Sequence, residues 1–401
     1  MWFYLILALL FTCAISKQDQ EKETYQSEQE IYRGKLIYLQ ILTSNGFYSP
    51  LEIYPTDENK ESAWPQGLTK LTKLGMLQQY QLGKFLRKVY GDFITSDPTE
   101  VETFSAADDR TLESALCFLA SLYSPTKEWR FVPKLEWQPV PVPHIEGPYD
   151  RFLGYLPYCP RMFSEIRKII KSQPGQEFIN KDEFLYSFWA NNSGMPMNDW
   201  NDVTRLFDTL QRENNTGLEV PEWAKLYWHE MKRITDAAYR WNHNSRVGLK
   251  LKIGPLLELM TERLKFKTLE DDPNRNTKVN VYVTHDWNIV ALLMSTFRFN
   301  GLRPPPCATI IWELYQRYNN YQVRMLYYNS STPELGYQDP FMFTVRGCTE
   351  YCPLAYFINF FRDYIPKDWN KLCGLKKVKS LESDESGRPF SLSDEKNPGQ
   401  P

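Results

Sequence analysis

The 401-residue sequence is short of net charge, of membrane-length apolar runs and of metal-binding patterns. Forty-seven Lys and Arg against 49 Asp and Glu leave a formal charge of −2, which gives no electrostatic reason to expect nucleic acid or an anionic membrane as partner. The longest apolar stretch, Trp2 to Ile15, is too short for a bilayer, which needs ~20 such residues. Histidine occurs only four times, and His229-Glu230 lacks the spacing of a helical zinc motif. No metal and no cofactor are therefore expected. Repeats and low-complexity tracts are missing before a polar tail.

What is present is an ordinary globular composition, 42% hydrophobic and 24% charged, with aromatics high at 15%. The length suffices for one large core with a smaller companion. Residues 1–16 have the form of a cleaved signal peptide, 17–32 of a polar leader and 374–401 of a disordered tail. A secreted protein without a membrane anchor is the expectation. Sequons at Asn191, Asn214 and Asn329 acquire meaning as glycosylation sites on that route. Six cysteines remain after the signal, an even number that favours disulfides in an oxidising compartment.

Lys35 to Pro55 organises the chain. A near-continuous apolar run from Leu36 to Leu42 describes a strand buried on both faces. It stops at Ser44-Asn45-Gly46, which places a Gly-containing loop at the carboxyl edge of a sheet, where α/β proteins bind ligands. Residues 68–93 carry one apolar stripe and predict a long helix. Val101 to Ser105 predicts a strand, and Asp108-Asp109-Arg110-Thr111 opens a helix whose acidic residues suit a cap. Pro133 to Pro160, with its PVPVPH, predicts a loop that puts His144 on the surface. Helices are expected at 162–170, 200–210 and 222–241, broken by Pro174-Gly175. The chain then returns through a helix at 255–266, a buried strand at 279–284, His285-Asp286, a helix at 289–297, strands at 308–315 and 321–328, and a last helix at 353–365.

The loop Ser44 to Pro50, the segment WPQGLTKLTKLGMLQQYQLGKFLRKVY, Ser105-x-x-x-Asp109-Arg110-Thr111 and Thr284-His285-Asp286 together resemble the histidine acid phosphatases, the family of the prostatic and lysosomal acid phosphatases. The resemblance runs from about residue 34 to 373. It implies an α/β fold, a mixed sheet flanked by helices on both faces, formed by 33–158 and 247–373. A small all-α domain is inserted at 159–246. It further implies bridges Cys159–Cys373 and Cys348–Cys352. Cys117 and Cys307 are left either bridged or as two buried thiols. Homodimerisation is a further implication.

That family's loop reads Arg-His-Gly-x-Arg-x-Pro, in which the His attacks phosphorus and the Arg residues bind phosphate. Ser44, Asn45 and Tyr48 stand at those three positions here. Arg110 and His285, at phosphate-binding positions, and Asp286, at the position of the proton donor, are retained. A carboxamide has no nitrogen lone pair with which to form a phosphoramidate, and losing a nucleophile of a concerted set costs on the order of 10⁴–10⁶ in rate. Two readings follow. One is a secreted homologue without phosphomonoesterase activity that binds a small phosphate-bearing or less charged ligand. The other is an acid phosphatase working through Arg110, His285 and Asp286. The three losses favour the first. His285 and Asp286 also have a purely structural explanation, as caps of the following helix.

Overall fold

The computed structural model describes residues 34–375 except 273, 274 and 338. The segments expected to be a signal peptide, 1–16, and a polar leader, 17–32, lie outside them, as does the expected tail 374–401 beyond Leu375. One eight-stranded sheet carries the fold, with the order β3-β2-β4-β1-β5-β6-β7 and β8 paired to β6. Its strands are β1 (Lys35–Ser44), β2 (Val101–Ala106), β3 (His144–Ile145), β4 (Val279–Thr284), β5 (Thr309–Arg317), β6 (Asn320–Tyr328), β7 (Phe341–Phe343) and β8 (Cys352–Pro353). The β2, β3, β4 and β1 strands are parallel to one another, and those beyond β1 pair antiparallel.

The period of two in β1 divides the interior into two cores. Tyr38 and Leu42 face a layer built on α9 (Arg246–Phe266), α10 (Asp286–Ser295) and α11 (Leu354–Phe361). Leu39 and Ile41 face α1 (Lys73–Val89) and α2 (Asp109–Leu122). The mixed sheet with helices on both faces is thus present, and the unbroken apolar run of β1 is the mark of double burial.

Between β3 and α9 the chain runs through α3 (Pro160–Ile170), α4 (Gln173–Asn180), α5 (Glu183–Ser193), α6 (Trp200–Thr216), α7 (Glu222–Leu226) and α8 (Trp228–Asn242). Much of this segment shares a core of its own around Trp189, Trp200, Phe207 and Met231. Cys159 is bonded to Cys373, and Cys348 to Cys352. Cys117 and Cys307 are free thiols.

Several expected boundaries move. The helix expected at 68–93 is shorter, because Thr72 caps it by accepting from the Gly75 amide and Thr69 has a positive φ. Pro174-Gly175 does not interrupt the insert but lies in the first turn of α4, where a proline amide is not missed. The expected 222–241 helix is split at Tyr227. The proline-rich loop contributes β3 at the sheet edge, with His144 exposed on it. A helix expected from Pro255 begins nine residues earlier at Arg246 and runs through that proline. The cost of this is met elsewhere: the Leu251 carbonyl, which Pro255 cannot serve, accepts the Trp369 indole N–H at 2.9 Å.

Candidate active site

Three parallel strands end at one place. The register sets Ser44 of β1 beside Thr284 of β4, and Ser105 of β2 beside Val283. The Asn45 amide bonds the Thr284 carbonyl at 2.9 Å, and the Asn45 carbonyl accepts from the Cys307 amide at 3.1 Å. Gly46 is required here, since a Cβ would lie 2.4 Å from the Gly75 carbonyl oxygen of α1. The loop thereby presses against a helix start. The Asn45 side chain is turned inward, donating to the Gly46 carbonyl at 2.8 Å.

Asn45, Ser44, Tyr48 and Asp286 line one cleft of about 240 Å³. Arg110 and His285 are not on its lining. Arg110 touches the Tyr48 ring from 4.7 Å, and its Nη2 lies 3.4 Å from His285 Nδ1. The six predicted site residues therefore gather at one end of the sheet but divide between a cleft wall and a buried cluster beside it.

That cluster is internally neutralised. His285 is buried, with Nε2 2.9 Å from Asp108 Oδ2. A nitrogen so close to a carboxylate carries the proton, which leaves Nδ1 bare to accept from Arg110. Burial lowers the His285 pKa against the pull of Asp108, so the ring is neutral at neutral pH. Burial by itself would raise Asp108, but the hydrogen bond from His285 and the charge of Arg110 outweigh it and hold the carboxyl below its usual range. Asp108, expected to cap α2, makes no side-chain cap bond. Nor does His285 cap α10. Asp286 instead accepts from the Tyr239 hydroxyl at 2.6 Å and from Arg303 Nε at 3.4 Å, so the capping explanation fails for both.

The largest charged assembly at the site was not legible beforehand. Asp208 of α6 binds Arg212 through two bonds of 2.8 Å and Arg303 through one of 2.6 Å. Arg212 also donates to the Tyr48 carbonyl at 2.7 Å, and its guanidinium sits 3.5 Å from the Tyr48 ring centroid. Burial acts to raise Asp208, and the two arginines outweigh it and hold the carboxyl well below its usual range. Asp208-x-x-x-Arg212 is an i,i+4 pair that helical spacing could have flagged. Arg303 stands before three prolines that stiffen its loop, yet nothing local says which carboxylate it meets. Among the described residues no group of three or more His, Cys, Asp or Glu could hold a metal ion. No helix among them is long and apolar enough to cross a membrane.

Residues 14–328 match the family model for the histidine phosphatase superfamily (branch 2). The chain is 33% identical over 350 residues to the lysosomal acid phosphatase of Bos taurus, covering 85% of this chain and 80% of that protein. It is 33% identical over 365 residues to the prostatic acid phosphatase of Rattus norvegicus, covering 84% and 89%. Among solved structures, the phytase from Citrobacter braakii aligns with a TM-score of 0.64 at 13% identity, covering 84% of this chain and 99% of the phytase. A likeness at that identity concerns the fold.

Proposed function

We propose, from the premise that the chain belongs to branch 2 of the histidine phosphatase superfamily, that it is a secreted member which binds rather than hydrolyses. The observation that carries this is that no histidine lines the cleft. Asn45 stands where the resemblance places the nucleophile, and its carboxamide is no substitute. His285 offers no replacement, because one ring nitrogen faces Asp108 and the other Arg110. The reading in which His285 attacks phosphorus would have to break both contacts in a buried site.

Phosphate binding is weakened as well as chemistry. Ser44 and Tyr48 supply no charge, and the cations nearby, Arg110, Arg212 and Arg303, are each already paired with a carboxylate. A phosphate monoester would compete with Asp108 and Asp208 for them. Two disulfides suit an oxidising compartment, and the secretory route implied by residues 1–16 belongs to the same proposal.

The test is hydrolysis of a generic aryl phosphate from acid to neutral pH, beside an active acid phosphatase. The native protein is expected to show no turnover and no phosphohistidine. Asn45→His alone is expected to recover little, since Tyr48 still packs on Arg110 and no loop arginine is restored. Ser44→Arg, Asn45→His and Tyr48→Arg together are expected to recover measurable acid-pH activity, far beyond the sum of the single changes. Substantial native turnover that His285→Ala abolishes would overturn the proposal.

A further inference from the structure

The sequons bear on what can reach the cleft, given the reading above of a secreted protein that binds without hydrolysis. Two of the three touch its lining. Asn215, the middle residue of Asn214-Asn215-Thr216, and Ser331, the hydroxyl residue of Asn329-Ser330-Ser331, both stand on the cleft wall. No residue of Asn191-Asn192-Ser193 does. One of the two belongs to the helical insert and the other to the sheet, the two parts that wall the cleft.

The backbone aims both acceptors at the same place. Phe207, Gln211 and Asn215 of α6 line the cleft, and residues 207, 211, 214 and 215 fall at i, i+4, i+7 and i+8, which share one helical face. A group carried on Asn214 therefore leaves from the face that lines the cleft. Asn329 follows the last residue of β6. The register sets Tyr328 beside Thr309 and Thr309 beside Thr43, so Asn329 leaves the sheet at the edge where Ser44 and Asn45 lie. Asn214 is exposed and Asn329 half-buried, and neither carboxamide makes a hydrogen bond among the described residues. Both side-chain nitrogens are thus free to be modified.

We propose that oligosaccharides on Asn214 and Asn329 flank the mouth of the cleft and restrict it to small molecules, so that neither a protein nor an extended peptide is its ligand. In the modification, each Asn side-chain nitrogen bonds the anomeric carbon of a lipid-pyrophosphate-linked oligosaccharide. The bond from that carbon to the pyrophosphate oxygen breaks, the lipid pyrophosphate leaves with the electron pair, and the amide gives up one proton to solvent. The attached sugars are bulky and hydrated. Two of them on separate walls block a polypeptide and leave a passage for a small ligand. The cleft itself, at about 240 Å³, is below the ordinary range for drug-sized ligands, ~300–1,000 Å³.

The test uses the full-length chain secreted from eukaryotic cells. Enzymatic release of the sugars in heavy-oxygen water, read by mass spectrometry, is expected to mark Asn214 and Asn329 as occupied. Gln211→Cys then puts a thiol on the lining near Arg303, whose Nη1 lies 3.5 Å from Gln211 Oε1, and a neighbouring cation favours the reactive thiolate. A Cys117→Ser background removes the half-buried free thiol, and Cys307 is buried. N-ethylmaleimide should label the cleft thiol readily, and a maleimide carried on polyethylene glycol slowly. Asn214→Gln with Asn329→Gln should raise the polymer rate roughly tenfold and leave the N-ethylmaleimide rate unchanged. A purely structural effect of those substitutions would move both rates. Asn191→Gln should move neither. Lys232→Cys, on another lining element, gives the same comparison where the first variant fails to fold. An unmodified Asn214 or Asn329 would overturn the proposal, as would a polymer rate that ignores their removal or responds equally to Asn191→Gln. The underlying reading fails separately: sugars missing from all three sequons would count against the secretory route, and turnover of an aryl phosphate against binding without hydrolysis.

Discussion

Asp208 holds more of the site than any residue that motif reasoning singled out. Its carboxylate is the common anion of Arg212 and Arg303, so removing its charge leaves buried Arg212 without a carboxylate and Arg303 with Asp286 alone. Breaking a buried charge set by deleting one partner typically costs ~3–5 kcal/mol. Asp208→Asn is therefore expected to lower unfolding stability by roughly that amount, measured by urea denaturation. A change within ~0.5 kcal/mol, the range of ordinary surface substitutions, would show that solvent screens the assembly. The positions legible in advance were those with a motif around them: Asn45 and Tyr48 beside Gly46, Arg110 after Asp109, and Asp286 after His285. Asp208 and Arg303 lie 95 residues apart, and a pair that distant leaves no local pattern. Asp108 was visible but misread. Its place before a helix suggested a cap, whereas the imidazole of His285 takes its carboxylate.

Elements were legible where burial imposed a period, and β1 is the clearest case. Its unbroken apolar run comes from being covered on both faces, and that burial follows from its place inside the sheet, with β4 on one side and β5 on the other. The start of α9 was not legible, because proline normally ends a helix. Here a tertiary contact overrides the local rule, since the Trp369 indole near the Cys159–Cys373 bridge serves the Leu251 carbonyl. Trp369→Phe keeps the ring and removes the donor. It is expected to destabilise by ~1–3 kcal/mol, the cost of leaving a buried acceptor unsatisfied. In a Pro255→Ala background the restored amide can reach the Leu251 carbonyl, so the same substitution should cost much less. Equal costs in the two backgrounds, in a double-mutant cycle of chemical denaturation, would show that the indole bond does not compensate for the proline.

At the scale of the whole molecule, the helical insert and the sheet meet through a pair of carboxyl groups. Asp57 follows the site loop, and Glu213 lies on α6; both are buried. The Asn59 amide N–H donates to Asp57 Oδ1 at 2.8 Å, and its side-chain nitrogen donates to Glu213 Oε1 at 2.9 Å. Asp57 Oδ2 and Glu213 Oε2 receive no hydrogen bond, and the charge of Asp57 disfavours a second charge on Glu213. Burial first, and then the neighbouring Asp57, push the Glu213 pKa up to about 8. Tyr54, Glu58 and Lys60 are the other ionisable groups facing the pair. Because the folded pKa exceeds the unfolded one, near 4.5, the native state holds the extra proton between those values. The stabilisation is complete below pH 4.5 and is lost as pH rises through about 8. Lys252, lowered to about 7 by burial, and His243, lowered to about 4 by burial, contribute slopes of the opposite sign. Glu213→Gln leaves those unchanged and keeps a donor for Asp57 without a titrating proton. The difference in melting temperature, wild type minus variant, should therefore fall steadily from acid pH to about pH 9. Parallel profiles across that interval would mean that Glu213 holds no extra proton in the native state.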